Sequence, residues 1–327
     1  MLTIWMGRAN TGKSARIMNA LRTRREQALL LVPEHASHTA ELEVCRACGP
    51  GASGYVEVLS LRTLAKRVLA LTGTAADGAL DAGGKLLLMQ LALQEVVSQL
   101  TVYARPSRKA PFLAELVELC SELTACQVRP EDLGGAVELL EGLSGEKVWD
   151  LSLIYAAYLG KLRSGGEDRR DLMDKLLDGL EASGFAAGKA VYLDGFTYFT
   201  AQELQMISIL LRVSKSVTVT LLGDGSGLEI FEQSIRTRDR LIRLAADCGT
   251  ACMVETLEPK AAETGLEHLE KTFFGGGKPW NGDCGDVAIH RAETLFQETE
   301  YVAAKILELV RTGGFRFREI GVAARNL

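Results

Sequence analysis

Several absences narrow the field before any motif is considered. No run of about 18 uncharged apolar residues occurs, the length a membrane-spanning helix needs. Nor does the start, Met1-Leu2-Thr3, carry the basic stretch and cleavage site of a signal peptide. A cytoplasmic protein with no membrane partner is expected. Basic charge is not in excess, since 37 Lys and Arg face 42 Asp and Glu for a net charge of -5. This argues against a wholly basic nucleic-acid binder; a local basic groove stays open, because the distribution of charge decides that. Cysteines number seven, an odd count scattered through a chain without secretory marks, so thiols are expected rather than disulfides. Cys45 and Cys48 make a C-x-x-C that no second pair or histidine cluster answers at zinc spacing. What remains is 327 residues, 47% hydrophobic and 24% charged, enough for two or three domains with cores of their own.

The most informative segment is Gly7-Arg8-Ala9-Asn10-Thr11-Gly12-Lys13-Ser14, preceded by the apolar run Leu2-Thr3-Ile4-Trp5-Met6. This is the G-x-x-x-x-G-K-[ST] pattern of a P-loop, placed where it belongs, after a strand and before an amphipathic helix. Glycines let the backbone curl so that successive amides face phosphate oxygens. The lysine reaches the outer phosphates, the hydroxyl of Ser14 ligates Mg²⁺, and the helix start adds its positive end. ATP and Mg²⁺ are the expected ligands, with residues 7–14 as the ATP site.

Along the chain, helix and strand signals alternate and are interrupted once. A helix over 12–25 is followed by the strand Ala28–Val32 closed by Pro33, a helix over 36–47, a strand over 55–59 and a helix over 61–71. The strands then stop. Leu113, Leu116, Val117, Cys120 and Leu123 fall on one helical stripe, and Val148, Leu151, Ile154, Tyr155 and Tyr158 on another. Alternation resumes with Ala190–Leu193, a helix over 201–212, Ser216–Leu222, a helix over 229–247 and Cys252–Thr256. The expected fold is α/β, a parallel P-loop sheet formed by residues 1–80 and 185–258 with an all-helical insertion over 81–184. Residues 259–285 are polar, glycine-rich and aperiodic, and are expected to be a linker. Beyond them the strand Val287–His290, a helix over 296–311 and a strand over 320–325 suggest that 286–327 opens a second α/β domain. One βαβ unit cannot close a core, so the chain is expected to be the N-terminal piece of a longer protein.

A second constellation is Val191-Tyr192-Leu193-Asp194-Gly195-Phe196. An aspartate at the carboxyl end of a buried strand in a P-loop protein is placed to meet the Mg²⁺ shell, so Ser14 and Asp194 are the expected metal residues. The alternative is a turn or helix cap at a strand end. NTPase motors usually follow this aspartate with a glutamate that activates water. Here Gly195 offers no side chain, so nucleotide binding is expected to outlast turnover. Phe196, Tyr198 and Phe199 lie where open α/β sheets receive ligands and could stack on unpaired bases; equally, at least two of these rings could plug the junction between sheet and helices. His35 and Ser37, after the second strand, suit backbone or base contacts, or Ser37 and Glu34 could cap the next helix.

These pieces resemble the N-terminal region of the B subunit of AddAB-type (RexAB) helicase-nucleases. The likeness runs through Gly7–Ser14, Leu30-Leu31-Val32-Pro33-Glu34-His35, Val58–Leu61 with Leu64–Leu69, Val191–Phe196 continuing through Phe199-Thr200-Ala201-Gln202-Glu203, and Glu300–Ile306 followed by Phe317–Arg325. The resemblance implies a superfamily 1 helicase-like fold, in which a RecA-like first domain carries a helical insertion and a second RecA-like domain begins near residue 286. It further implies a scaffold that holds single-stranded DNA at double-strand ends and recognises Chi with little ATP turnover of its own. The implied partner is the A subunit of a heterodimeric helicase-nuclease acting in recombinational repair. Arg325 matches an arginine that approaches the nucleotide, while the family's nuclease residues and iron-sulfur cysteines lie outside this segment. Two other readings stay open. One is a working superfamily 1 helicase or ATPase, which would need another carboxylate such as Glu203 to stand in for the missing base. The other is a P-loop small-molecule kinase using the helical insertion as a lid.

Overall fold

Runs such as Ala28–Leu31 and Ala190–Leu193 are apolar at every position, the pattern of strands covered on both faces. The computed structural model describes residues 1–73, 80–105, 109–163, 172–258 and 264–325, and buries both runs completely. They belong to a six-stranded sheet made of β1 (Leu2–Gly7), β2 (Ala28–Leu31), β3 (Val56–Leu59), β4 (Ala190–Leu193), β5 (Ser216–Leu222) and β6 (Cys252–Thr256). The order is β3-β2-β4-β5-β1-β6, and every pairing is parallel. β1 lies between β5 and β6, with Leu2 opposite Val217 and Cys252. The carboxyl ends of β1 and β4 are therefore two strand spacings apart, about 10 Å, with β5 between them.

Side chains alternate along each strand, and the two faces fill separate cores. Leu29, Leu31, Val191, Leu193, Val217 and Val219 point into one. There they meet Leu64 and Val68 of α3 (Leu61–Thr72), Leu176 and Leu180 of α8 (Leu172–Leu180), and Met206 and Leu210 of α9 (Ala201–Val213). Leu241 of α10 (Glu232–Asp247) completes that layer. Trp5, Leu30, Val32 and Tyr192 point the other way, on to Ile17 and Leu21 of α1 (Lys13–Arg24) and Val44 of α2 (Ser37–Cys48).

Between β3 and β4 the described residues form helices and turns but no strand. α3 and α8 pack on the sheet, so α8 belongs to the sheet's core although its sequence lies within the stretch expected to be an insertion. α4 (Ala82–Val96), α5 (Ala110–Ala125), α6 (Pro130–Val137) and α7 (Leu143–Arg163) lie between them in the chain. Met89, Leu93, Leu116, Cys120, Ile154 and Tyr155 give this group a core of its own. Asp150 of α7 is completely buried beside it. Its carboxylate accepts the backbone N–H groups of Thr101 at 3.0 and 3.1 Å, Val102 at 2.8 Å and Tyr103 at 2.9 Å, which joins the segment after α4 to α7.

The chain divides into two compact units, Met1–Lys260 and Ala261–Leu327. In the second, α11 (Gly265–Thr272) occupies part of the stretch expected to be an irregular linker. Thr264 caps it by accepting the Glu267 amide at 3.2 Å, and Asp286 accepts the Leu266 amide at 2.7 Å. α12 (Leu295–Arg311) lies where a helix is expected, but the flanking segments 287–290 and 320–325 are not strands. Ile289 is 95% exposed and Val322 57%. An isolated apolar quartet has no ladder to join, and the described residues of this unit contain no other strand. No described helix is long and apolar enough to cross a membrane.

Removing the Asp150 carboxylate takes the acceptor from three backbone amides and empties a fully buried position. Asp150→Ala should lower stability by about 2–4 kcal/mol, whereas truncation of the exposed Glu146 should change it by less than about 0.5 kcal/mol. Urea denaturation of the two variants makes the comparison.

Candidate nucleotide-binding site

The turn from β1 into α1 is dictated by two glycines with different duties. A Cβ on Gly7 would lie 2.3 Å from Thr11 Oγ1 and 3.3 Å from Leu257 Cβ, so a side chain there would force the Thr11 hydroxyl out of its place. Gly12 has open space around it but a φ of +86°, in the left-handed region that favours glycine. Asn10 shares that region at φ 57°, which asparagine tolerates. The Thr11 hydroxyl donates to the Arg8 carbonyl at 2.9 Å, closing the loop on itself.

Lys13 donates to the carbonyls of Gly7 at 2.6 Å and Arg8 at 2.7 Å, so its ammonium sits inside the loop's curve. Burial holds its pKa below the ordinary lysine value, and the Asp194 carboxylate pulls in the opposite direction. α1 has neither a side-chain cap nor an acidic residue in its first turn, unlike α3, which Ser60 caps, and α9, which Thr200 caps. Its leading amides and dipole suit an anion. Ser14 is exposed on this first turn, and Ala9 and Asn10 are exposed on the loop. The other end of the loop is anchored to the sheet, because Arg16 donates to Glu255 at 2.7 Å and its guanidinium lies 4.4 Å from the Trp5 ring centroid.

Asp194 follows β4 directly, and its amide donates to the Leu31 carbonyl at 3.0 Å. The Thr220 hydroxyl of β5 donates to its carboxylate. Gly195 turns the chain with φ +82°, and a Cβ there would meet Pro33 Cδ at 3.4 Å. Glu203, the substitute carboxylate, is engaged elsewhere: it accepts the Thr200 amide at 2.8 Å while its own amide donates to Thr200 Oγ1 at 3.3 Å. This reciprocal pair caps α9.

The three candidate stacking rings separate. Tyr198 is 54% exposed, Phe196 is half-buried, and Phe199 is only 3% exposed. Phe199 fills the core under β4 and α9 and offers no face to a base, which corrects its expected role as a DNA contact. Phe196 packs against it, with ring centroids 5.3 Å apart. His35 is exposed on a single 3-10 turn, Glu34–Ala36, and the Ser37 hydroxyl donates back to the Glu34 carbonyl at 3.0 Å. Since β2 pairs with β4, this turn and the Asp194–Tyr198 turn leave the same sheet edge from neighbouring strands. Arg325 is exposed on an irregular segment of the second unit. Among the described residues no group of three or more His, Cys, Asp or Glu could hold a metal ion, and Cys45 and Cys48 are free thiols.

Sequence reasoning missed two residues. One is Thr220. The other is Asp224, whose carboxylate accepts from Arg8 Nε at 2.5 Å and whose setting, an aspartate just past the end of a strand, repeats that of Asp194. Burial pushes the Asp224 carboxyl up, but hydrogen bonds from Ser226 and Arg8 outweigh it and hold the group below the usual carboxylate value.

The difference between the rings has a measurable consequence. Phe199→Ala should cost about 3–5 kcal/mol of stability as a core truncation, and Tyr198→Ala less than about 0.5 kcal/mol, both readable as shifts in the urea midpoint.

Comparison with known proteins adds what geometry alone does not. The family model described as "ADDB, N-terminal" matches residues 4–270. Among similar proteins, the B subunit of the ATP-dependent helicase/deoxyribonuclease of Clostridioides difficile (strain 630) is 28% identical over 355 residues, covering 98% of this chain and 30% of the relative. The protein of the same name from Desulforudis audaxviator (strain MP104C) is 32% identical over 346 residues, with the same coverage of each. The one from Caldanaerobacter subterraneus is 30% identical over 339 residues, covering 98% of this chain and 29% of the relative. The chain thus spans about 30% of the length of the curated relatives it matches. With a match that runs from within β1, through the loop, all six strands and the helices between, into α11, this chain belongs to the AddB N-terminal family.

Proposed function

We propose that the first unit is an ATP- and Mg²⁺-binding, single-strand-binding scaffold within a helicase-nuclease subunit, and that it turns ATP over scarcely at all. The observation that carries the nucleotide reading is the crowded turn at Gly7, where a Cβ would press on the Thr11 hydroxyl, leading into an uncapped helix start with amides suited to an anion. Lys13 is held in the curve of that cradle, ready to exchange the Gly7 and Arg8 carbonyls for phosphate oxygens. Ser14 and Asp194 would hold the metal, with Thr220 orienting the Asp194 carboxylate. Bound Mg²⁺ supplies neutralisation of phosphate charge.

Hydrolysis asks for a base aligned on water. Residue 195 is a glycine, and Glu203 is committed to its helix cap, so neither carboxylate position near Asp194 fills that role. The DNA reading rests on the exposed ring of Tyr198, the half-buried Phe196 and the polar turn at His35 and Ser37 on one sheet edge. It is also supported by the name of the relatives, B subunits of an ATP-dependent helicase/deoxyribonuclease, which points to a DNA substrate and to a partner subunit; a cytoplasmic setting is part of the same proposal. Reading of Chi within the bound strand is the finer role that the family resemblance suggests.

Calorimetric titration with Mg-ATP should give saturable binding, weakened at least ten-fold in Lys13→Ala, as loss of about 1.5–3 kcal/mol from charged hydrogen bonds implies. Steady-state assays should give negligible turnover with or without single-stranded DNA. Gly195→Glu should not create turnover, because it places a side chain in a left-handed turn. A fast, DNA-stimulated rate abolished by Lys13→Ala would establish a working motor instead. Tyr198→Ala should weaken single-strand binding about ten-fold, the value of one stacked base, in a fluorescence anisotropy titration.

A further inference from the structure

The loop that follows β5 is tied to the P-loop at three points. The Gly223 amide donates to the Gly7 carbonyl at 3.1 Å, which is the same oxygen that Lys13 holds at 2.6 Å. Asp224 accepts from Arg8 Nε at 2.5 Å. The Arg8 guanidinium also lies 5.5 Å from the centre of the Phe231 ring, at the far end of that loop. Asp224 is itself oriented, since the Ser226 amide donates to its other oxygen at 2.9 Å and the Ser226 hydroxyl donates there as well. Arg8 is a buried residue, and the pair joins positions 216 residues apart in the chain.

Residue 8 is thus held from both ends. Its carbonyl accepts from Lys13 and Thr11, and its side chain is clamped by Asp224 and Phe231. A lysine that turns to a phosphate releases the Gly7 and Arg8 carbonyls together, and both carbonyls belong to residues fixed to the β5 loop. Any free energy the loop's conformation contributes to the lysine's position must, by linkage, be returned when phosphate changes that position.

We infer that Arg8 and Asp224 form a positioning pair that couples phosphate binding on the P-loop to the conformation of residues 223–231. The inference rests on the nucleotide reading above and adds a regulatory output to that site. The β5 loop becomes a reporter of the nucleotide, and whatever touches it changes ATP affinity in return. Arginine suits this place better than lysine, because its planar fork can serve Asp224 at Nε while its face lies against Phe231.

Hydrogen exchange of the full chain with and without Mg-ATP, together with calorimetric titration, tests this for the parent chain, Asp224→Asn, Arg8→Lys and the double variant. In the parent, Mg-ATP should slow exchange at amides 223–231 as well as at 7–14. In Asp224→Asn, Mg-ATP should still bind, about five- to ten-fold more weakly, within the usual range of such couplings, but protection should be confined to 7–14. Arg8→Lys should behave in the same way, and the double variant should bind no more weakly than either single one, the non-additivity of two residues acting as a unit. Should Asp224→Asn prove unfolded, by loss of slow exchange in β1 and β5, Arg8→Lys carries the test alone. Protection of 223–231 that persists in the folded variants, or is missing from a parent chain that binds ATP, overturns the coupling and leaves the nucleotide reading intact. A parent chain that binds no ATP overturns both.

Discussion

A methyl group at position 7 would sit 2.3 Å from the Thr11 hydroxyl, and much of the site follows from the chain's passing through that space without one. Within this turn the carbonyls of Gly7 and Arg8 both accept from the Lys13 ammonium, which spans them. The same turn delivers the first residues of α1 without a side-chain cap. The neighbouring strands use what is left: Gly223 donates to the Gly7 carbonyl and Leu257 to that of Met6, at 2.7 Å. A tight turn alone is a local matter. Here it is the place where hydrogen bonds from β5, from the end of β6 and from the helix start meet.

The surrounding architecture gives that meeting point its rigidity. β1, β2, β3 and β4 send side chains into both cores, so shifting any one of them by a residue would exchange its entire set of side chains between two differently shaped layers. The strands are short, four to seven residues, and the middle ones end abruptly where the apolar run meets a polar or special residue, Pro33 soon after β2 and Asp194 after β4. Short strands in strict parallel register bring their carboxyl ends to one level. That is why Lys13 on one strand's continuation and Asp194 on another feel each other's charge across the intervening β5.

Most of the sheet was legible because its signals are local and redundant. Apolar runs of four or more residues closed by turn residues became β1, β2 and β4, and the stretches between them became helices with nearly the expected limits. The tight turn between β1 and α1 was legible because its glycines answer to sterics that do not depend on the rest of the fold. Legibility failed where a residue's role is set by distant neighbours. Tyr198 and Phe199 are adjacent aromatics, yet the cap at Thr200 turns one outward and the other inward. Asp150 looks like one more charge on a long helix, and only the return of the chain at 101–103 makes it an interior anchor. The segments 287–290 and 320–325 carry the composition of strands, but a strand is a relation between chain segments, and composition does not supply the neighbour. α11 escaped notice for the opposite reason: it is a short helix whose start is fixed by Thr264 and by Asp286 further along the chain.

Gly195 bears on how such a site can change over time. Its φ of +82° means that every side chain substituted there starts from a backbone penalty, on the order of 1–2 kcal/mol, before it can contribute anything. Pro33, on the neighbouring turn, stands against the same position. A carboxylate placed beside Asp194 would carry that penalty unless the backbone of the turn changed with it. At this edge of the sheet the shape of the turn limits which groups can stand beside Asp194.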